Sequence, residues 1–395
     1  MHAFWTVGTI GVFAVLWVAC AHTVFGPGQA ELISPGGSAR ARGLLRRQMA
    51  VWEQPALRER ELGRLRATNP EWDFMSRTYA VMSLANLALD EPDNRARYVG
   101  IVDRILEDTL RSEREHGVHH FLLPYSRRAP FMAPALSEAI SPRSLFVDGE
   151  IAMMLALRQL VSDDPRWRES LQERVALVEA QMESGPALSA ESYPDECWTF
   201  CNTMALAALR VSDGVLGTDH SAFGARWVAI ARERLLDPAT GMLVSSYRYD
   251  GTHLDGPEGS SIFHSAHALL LVDEAFARDQ YARARDALGQ EVAGFGYARE
   301  WPASRVGPTD VDSGPIVPFF DASAGASGHA LVAAAAFGDR PFLASLLASL
   351  EVAAAPVRDD TGLRYGASNL VGDAVILYAL VQGPAWARAQ RGGAR

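Results

Sequence analysis

The sequence contains no lysine: all 37 of its basic residues are arginine. A chain without a side-chain primary amine cannot form a Schiff base, anchor pyridoxal phosphate, or supply the phosphate-cradling lysine of a P-loop. A GC-rich genome is sufficient cause for the arginine excess, and the chemical exclusion holds regardless. Cysteine is also scarce, at positions 20, 197 and 201. With Cys20 inside an N-terminal apolar run, at most one disulfide can form, so a disulfide framework is excluded. Positive charge is in deficit as well, 37 basic against 47 acidic side chains for a net charge of −10. Nucleic acid is therefore not an expected partner, because a basic stripe is needed to displace its counterions.

What the chain has is apolar bulk. At 395 residues and 48% hydrophobic it can bury a large core. Residues 3–25 carry no formally charged side chain and are long enough to span a bilayer as a helix. The small-x-small triplet Ala19-Cys20-Ala21 equally suits a cleaved signal segment, although Trp17 makes a poor lipoprotein box. Arg40, Arg42, Arg46 and Arg47 follow, an arrangement that favours a cytoplasmic body by the positive-inside rule. The expected organisation is a membrane anchor or signal segment over 1–25, a Gly/Pro/Ser-rich linker over 26–39, and one catalytic domain over 40–395.

Within that domain two kinds of segment alternate. Segments 98–115, 166–184 and 223–236 are amphipathic, with apolar residues at helical spacing and charges opposite, as in an outer layer. Six others open on a polar or aromatic cluster and continue as Ala/Leu/Met runs: 72–89, 144–160, 195–210, 260–276, 323–338 and 368–381. Helices apolar nearly all round are buried on all sides. Two connections, DPATGMLVSSY (237–247) and DDTGLRYGAS (359–368), share an Asp and a Thr-Gly ahead of a short apolar stretch. Such recurrence predicts an all-α fold, an (α/α)6 toroid of inner and outer helices, with strands confined to connections.

The polar clusters at the starts of the inner helices would converge at one mouth of the ring. Capping accounts for Ser144, Asp195 and Ser368; it does not account for Tyr79, Cys197, Cys201, His264 and His267. Cys197 and Cys201, four residues apart, would share one helix face as small hydrophobes, as nucleophile or proton donor, or, with His264 or His267, as zinc ligands. Lacking the C-x2-C spacing of common structural sites, they do not make metal binding the expectation. His264 and His267 can act as acid or base near neutrality. Asp73, Asp148, Glu150 and Asp312 are the carboxyls available to the cavity, where apolar walls raise a carboxyl pKa and make it a general acid.

Asp73 and Tyr79, six residues apart, and the cysteine-bearing third inner helix resemble the linalool dehydratase/isomerase family. The likeness extends as architecture over residues 65–385 and in detail only to these motifs. It implies an α/α toroid acting on a small apolar, isoprenoid-like alcohol without a cofactor, and an exported, periplasmic location opposed to the arginine count. It implies catalytic roles for Asp73, Tyr79, Cys197, Cys201 and His264, with Asp73 held in geometry by Tyr79. Two departures are visible. The family's cysteines lie further apart than four residues, so only one of Cys197 and Cys201 corresponds. Where the family's second inner helix carries a histidine, this one offers Asp148, Glu150 and Met153. These, with Trp198, Phe200, Phe263, His267 and Asp312, are the expected substrate-binding groups, the aromatics shielding an allylic cation. Two rival readings are a carbohydrate-active toroid, with Trp198, Trp301, Tyr247, Tyr249 and Arg299 for sugars, and a non-catalytic membrane-tethered binding protein. A homo-oligomer is compatible with any of these.

Overall fold

The computed structural model describes residues 12–13, 16–18, 20–21, 23–136 and 143–392. The body opens with α1 (Ala39–Glu53) and α2 (Pro55–Thr68), then runs through α3 (Pro70–Asp90), α4 (Arg95–His116), α5 (Leu145–Val161) and α6 (Pro165–Ser184). It continues with α7 (Thr199–Leu216), α8 (Ser221–Arg234), α9 (Gly259–Leu269), α10 (Glu274–Leu288), α11 (Ala324–Phe337) and α12 (Arg340–Ala353). Last come α13 (Leu370–Val381) and α14 (Pro384–Gly392).

The protein is mostly helical, and its odd-numbered helices from α3 to α13 pack in a closed cycle: α3 on α5, α5 on α7, α7 on α9, α9 on α11, α11 on α13, and α13 back on α3. The sequence dictates this by composition. Every residue of α5 is buried, and α13 carries one charged residue, Asp373, so neither has a face suited to water. Close approach needs small residues: a Cβ on Gly149 of α5 would stand 3.1 Å from the Ala205 Cβ of α7. Amphipathic helices clad this ring, α4 and α6 on α5, α10 on α9, α12 on α11 and α1 on α13.

Short helix α14 lies across one end of the ring against α3, α5 and α7. Its Ala385 N–H donates to Asn86 Oδ1 (2.9 Å), and Trp386 stacks on His267 of α9 (4.9 Å, 13°). At the other end lie the strands. β1 (Cys197–Trp198), β2 (Ser246–Tyr247) and β3 (His253–Asp255) form one antiparallel sheet. β4 (Gly289–Val292), β5 (Phe295–Arg299), β6 (Asp310–Val311), β7 (Gly314–Val317) and β8 (Ala322–Ser323) form a second, ordered β4-β5-β8-β7-β6. β9 (Pro356–Asp359) and β10 (Gly362–Tyr365) form a hairpin. All sit in connections between helices, as expected. The two related connections do share a device: Thr240 donates its N–H and hydroxyl to Asp237, as Thr361 does to Asp359. The glycine after each threonine takes positive φ (Gly241 +68°, Gly362 +128°), the region glycine enters without steric cost.

Helix starts differ from the expected caps. Ser144 stands at the N-cap of α5, but its hydroxyl donates to the Ser192 carbonyl and caps nothing. Asp195 lies in a turn before β1 (φ 58°) and pairs with Arg248. Ser368 yields the α13 N-cap to Asn369, whose Oδ1 accepts from Gly372 N–H. For α5, α7 and α9 the first N–H is taken by a backbone carbonyl from the segment leading to the next inner helix. Leu145 donates to Glu191 O (2.8 Å), Thr199 to Ser245 O (2.9 Å) and Gly259 to Glu300 O (2.8 Å). These orphan donors are thus satisfied by tertiary structure, which no local pattern announces. Helix α9 also stops at Leu269, short of the expected 276.

The segment expected as a linker holds a five-residue helix, Gln29–Ile33, and a 3-10 turn, Pro35–Gly37. Glu31 there is ion-paired to Arg40 (2.7 Å). The expected anchor or signal segment falls largely outside the described residues. Among the described residues no single helix is long and apolar enough to cross a membrane; the bent pair α13–α14 passes such a test only jointly, and its apolar surface serves the core.

Asp73 belongs to the fold rather than to the ring interior. Its carboxylate accepts from Arg77 Nε (2.9 Å) and Arg66 Nη1 (2.7 Å), and Arg77 continues to Asp108 of α4 (2.8 Å). This cluster joins inner to outer layer. Removing one partner of a buried pair leaves the other uncompensated, so Asp73→Asn should cost about 3 kcal/mol in urea denaturation. Trp386→Ala, which opens the closed end, should cost about 3–5 kcal/mol by the same measurement.

Candidate active site

Helical phase decides which side chains of α3 face inward. At 100° per residue, Asp73 and Tyr79 point in different directions, whereas Glu71 and Thr78, seven residues apart, lie nearly in line. The ring interior therefore receives Glu71, Thr78 and Tyr79, and the expected Asp73–Tyr79 pair is not formed.

Nearest the mouth, Glu71 accepts a hydrogen bond from the Tyr193 hydroxyl, which itself accepts from Leu123 N–H (2.9 Å). Tyr125 stacks on Tyr193 (4.5 Å, 20°), and both Tyr125 Oη (3.1 Å) and Trp198 Nε1 (3.3 Å) donate to Glu196 Oε2. Glu71 keeps part of its surface open, yet the surrounding protein pushes its carboxyl up to about 7. The expected Asp312 joins this rim through its backbone, its carbonyl accepting from Trp72 Nε1 (3.1 Å) and Asn69 Nδ2 (3.4 Å).

About two turns deeper, Glu150 of α5 accepts from Thr78 Oγ1 (2.5 Å). Burial raises the Glu150 carboxyl to about 8; the Thr78 bond opposes the rise and the charge of Glu71 adds to it. Its Oε1 has no partner, so at neutral pH a largely protonated acid is held among apolar helices with one oxygen uncommitted. Cys201, in the first turn of α7, feels the same field. Burial raises its thiol well above the ordinary value, Ser192 opposes the rise, and Glu150 and Glu71 reinforce it. The Ser192 hydroxyl meets no partner at hydrogen-bond geometry. Cys201 therefore remains a thiol at neutral pH, and the thiolate is the nucleophilic form.

The next level holds Tyr79, whose hydroxyl lies 2.9 Å from His264 Nδ1 and 3.1 Å from His329 Nε2. Phe200 stacks on the His264 ring (3.7 Å, 19°). Burial lowers both imidazoles, His329 to about 4 and His264 well below its ordinary value, so both are neutral. Deepest, His267 Nε2 meets Tyr378 Oη (2.7 Å) above Trp386.

Several expected site residues lie elsewhere. Asp148 is buried, and although burial alone would raise its carboxyl, Arg174 and Arg143 hold it below the ordinary range. Gln181 also donates to it (2.9 Å); it ties α5 to α6 as an anion. Cys197 is not on the helix with Cys201: it sits in β1 opposite Tyr247, so the shared helix face does not exist. Phe263 meets Tyr281 of outer helix α10 (6.3 Å, 62°). His267 is displaced to the closed end, while Met153 is wholly buried in α5. Brought together are Tyr79, Glu150, Phe200, Cys201 and His264, with Trp198 at the rim. Glu71, Thr78, Ser192 and His329 were not singled out in the sequence. Helical phase could have found the first two, and a histidine in an otherwise Ala/Leu helix could have found the last. A surface hollow of about 600 Å3 between residues 24–40 and Glu351 and Arg358 lies outside the ring and gathers no comparable set.

Two comparisons bear on this arrangement. Among solved structures, a GH76 alpha-mannanase from Bacteroides thetaiotaomicron is similar over 80% of this chain and 86% of that one, at 12% identity and a TM-score of 0.49, a likeness too slight to carry an argument. The family model described as linalool dehydratase/isomerase matches residues 150–370, from Glu150 through the helices bearing Cys201, His264 and His329 to the start of α13. With more than half of its length matched, the chain belongs to the linalool dehydratase/isomerase family.

Proposed function

We propose that this (α/α)6 toroid is a hydro-lyase and isomerase of a small apolar, isoprenoid-like alcohol, working by acid–base chemistry inside the ring. The observation that carries the reading is Glu150: a buried carboxyl, raised to about 8, with Oε1 unpartnered. Such a group gives its proton to a hydroxyl oxygen, and the C–O bond breaks with both electrons leaving on water. The allylic cation left behind is shielded by apolar and aromatic walls, Phe200 among them. Loss of a neighbouring C–H proton to a base gives the alkene; return of water at another carbon gives the isomer. Family membership supports this class of reaction, and the uncommitted acid supports the route through protonation. A thioether route is less favoured, because Cys201 is held as the thiol and Cys197 lies in the strand pair.

Turnover is tested by incubating the full chain with tertiary and allylic isoprenoid alcohols, and separately with neutral and acidic oligosaccharides, followed by product analysis. Alkene or isomer formation from the alcohols is expected; products only from the sugars would overturn the reading. Glu150→Gln should lower kcat/KM by about 10²–10⁴, the usual contribution of a positioned acid, and activity within threefold of wild type would refute the assignment. Because the acid must be protonated, wild-type kcat/KM should fall as pH rises through about 8.

Stability gives an independent check of the same carboxyl. Its folded pKa exceeds the unfolded one, so between about 4.5 and about 8 the folded state holds a proton that the unfolded state has released. Stability must then fall as pH rises through that window. Urea unfolding at pH 5 and pH 8 should show a smaller loss in Glu150→Gln than in wild type.

A further inference from the structure

Tyr79, His264 and His329 meet at one oxygen, and counting hydrogens there restricts what each ring can be. A phenol hydroxyl donates one hydrogen and accepts others, and a neutral imidazole has one N–H and one lone pair. The hydroxyl contacts Nδ1 of His264 at 2.9 Å and Nε2 of His329 at 3.1 Å. If it donates to His329, then His264 must donate to it, and both rings carry their hydrogen on Nδ1. If it donates to His264, then His329 must donate to it, and both carry their hydrogen on Nε2. Opposite tautomers would present the oxygen either with two N–H groups, leaving its own hydrogen without an acceptor, or with two lone pairs, leaving one contact unmade. Because one ring binds through Nδ1 and the other through Nε2, the two histidines are tied to the same tautomer.

The outer nitrogens, His264 Nε2 and His329 Nδ1, are buried and meet no partner, as does Glu150 Oε1. Buried polar atoms are normally hydrogen-bonded, and three such atoms in one ring interior are what a substrate with transferable protons would complete. Of the two matching states, the Nδ1–H pair is the one that leaves a lone pair on the unpartnered His264 Nε2, as a base there requires. The chain then reads His329 Nδ1–H, Tyr79 O–H donating to His329 Nε2, and His264 Nδ1–H donating to Tyr79, leaving a lone pair on His264 Nε2.

We propose that Tyr79, His264 and His329 form a single proton relay, with both imidazoles in the Nδ1–H form and His264 Nε2 as the base that takes the proton lost by substrate carbon. This deepens the proposed function and rests on it for the identity of the substrate. In elimination, Glu150 gives its proton to the departing hydroxyl, which leaves as water with the C–O electron pair. The C–H pair becomes the second bond of the alkene, and the C–H proton goes to His264 Nε2. His264 passes its Nδ1 hydrogen to the Tyr79 oxygen, and Tyr79 passes its own to His329 Nε2. One proton has entered; the positive charge rests on His329 and is balanced by the Glu150 carboxylate, until return of that proton to Glu150 restores the starting state. The relay thus moves positive charge away from the ring that faces the cation. Phe200 stacked on His264 at 3.7 Å holds that ring in orientation.

The test is 15N NMR of the full chain labelled at histidine, with His264→Gln and His329→Gln to identify the two signals. Both rings are expected to be neutral at pH 7 and in the Nδ1–H form, and Tyr79→Phe, which removes both contacts, should shift both sets of signals. Opposite tautomers, or an imidazolium at either ring, would overturn the relay. With an isoprenoid alcohol as substrate, the proton inventory of kcat should be curved in wild type, since several protons move together. In Tyr79→Phe it should be linear, with kcat reduced about 10²-fold or more. A linear wild-type inventory would also overturn the relay. Nδ1–H on both rings without turnover of any alcohol would uphold the relay and sink the dehydratase reading; opposite tautomers, or Nε2–H on both rings, with turnover intact would do the reverse.

Discussion

Closure of the ring between its first and last inner helices is the contact on which the rest of the molecule depends. Until α13 packs against α3, some 300 residues away along the chain, the interior is open to water. Its carboxyls and imidazoles would then titrate at ordinary values. Once it closes, desolvation becomes the first cause of the shift at Glu71, Glu150, Cys201, His264 and His329. The same burial favours the neutral form of every group, raising acids and lowering bases. The result is an interior whose deeper proton donors and acceptors are neutral, with Glu71 at the mouth, its carboxyl raised to about 7, the one that shares charge near neutrality.

That neutrality needs the ions to be kept elsewhere, and the layer structure does this. The charged pairs of the inner helices are turned toward the outer ones: Asp73 with Arg77 and Asp108, Asp148 with Arg143 and Arg174. A fully charged carboxylate inside the ring would be expensive to desolvate; between the two helical layers it is met by guanidinium. Arginine suits these positions because its planar fork satisfies two oxygens and does not titrate. The absence of lysine, which excluded amine chemistry, thus also describes how the two layers are pinned together.

The structure also separates groups that a linear reading draws together. Cys197 and Cys201 are four residues apart, but the helix begins at Thr199 because its first N–H is taken by the Ser245 carbonyl from the next connection. Cys197 is thereby drawn into a strand pair with Tyr247. Asp73 and Tyr79 share a helix but not a face of it. Conversely, Glu150 and Thr78 lie on different helices and Tyr79 meets histidines 185 and 250 residues away, relations with no local signature.

The sequence by itself determined the helical class, the six apolar helices and their amphipathic cladding, the confinement of strands to connections, and the inner helices on which acid, thiol and imidazole would lie. Each follows from periodicity and composition, which act within a few turns of chain. Only the tertiary structure decided which carboxyl is an acid and which an ion-pair anchor. Glu150 and Asp148 stand two residues apart on one helix, yet one faces a desolvated interior and the other two arginines. A carboxyl's proton affinity depends on what surrounds it in space, and that was not settled until distant helices had met.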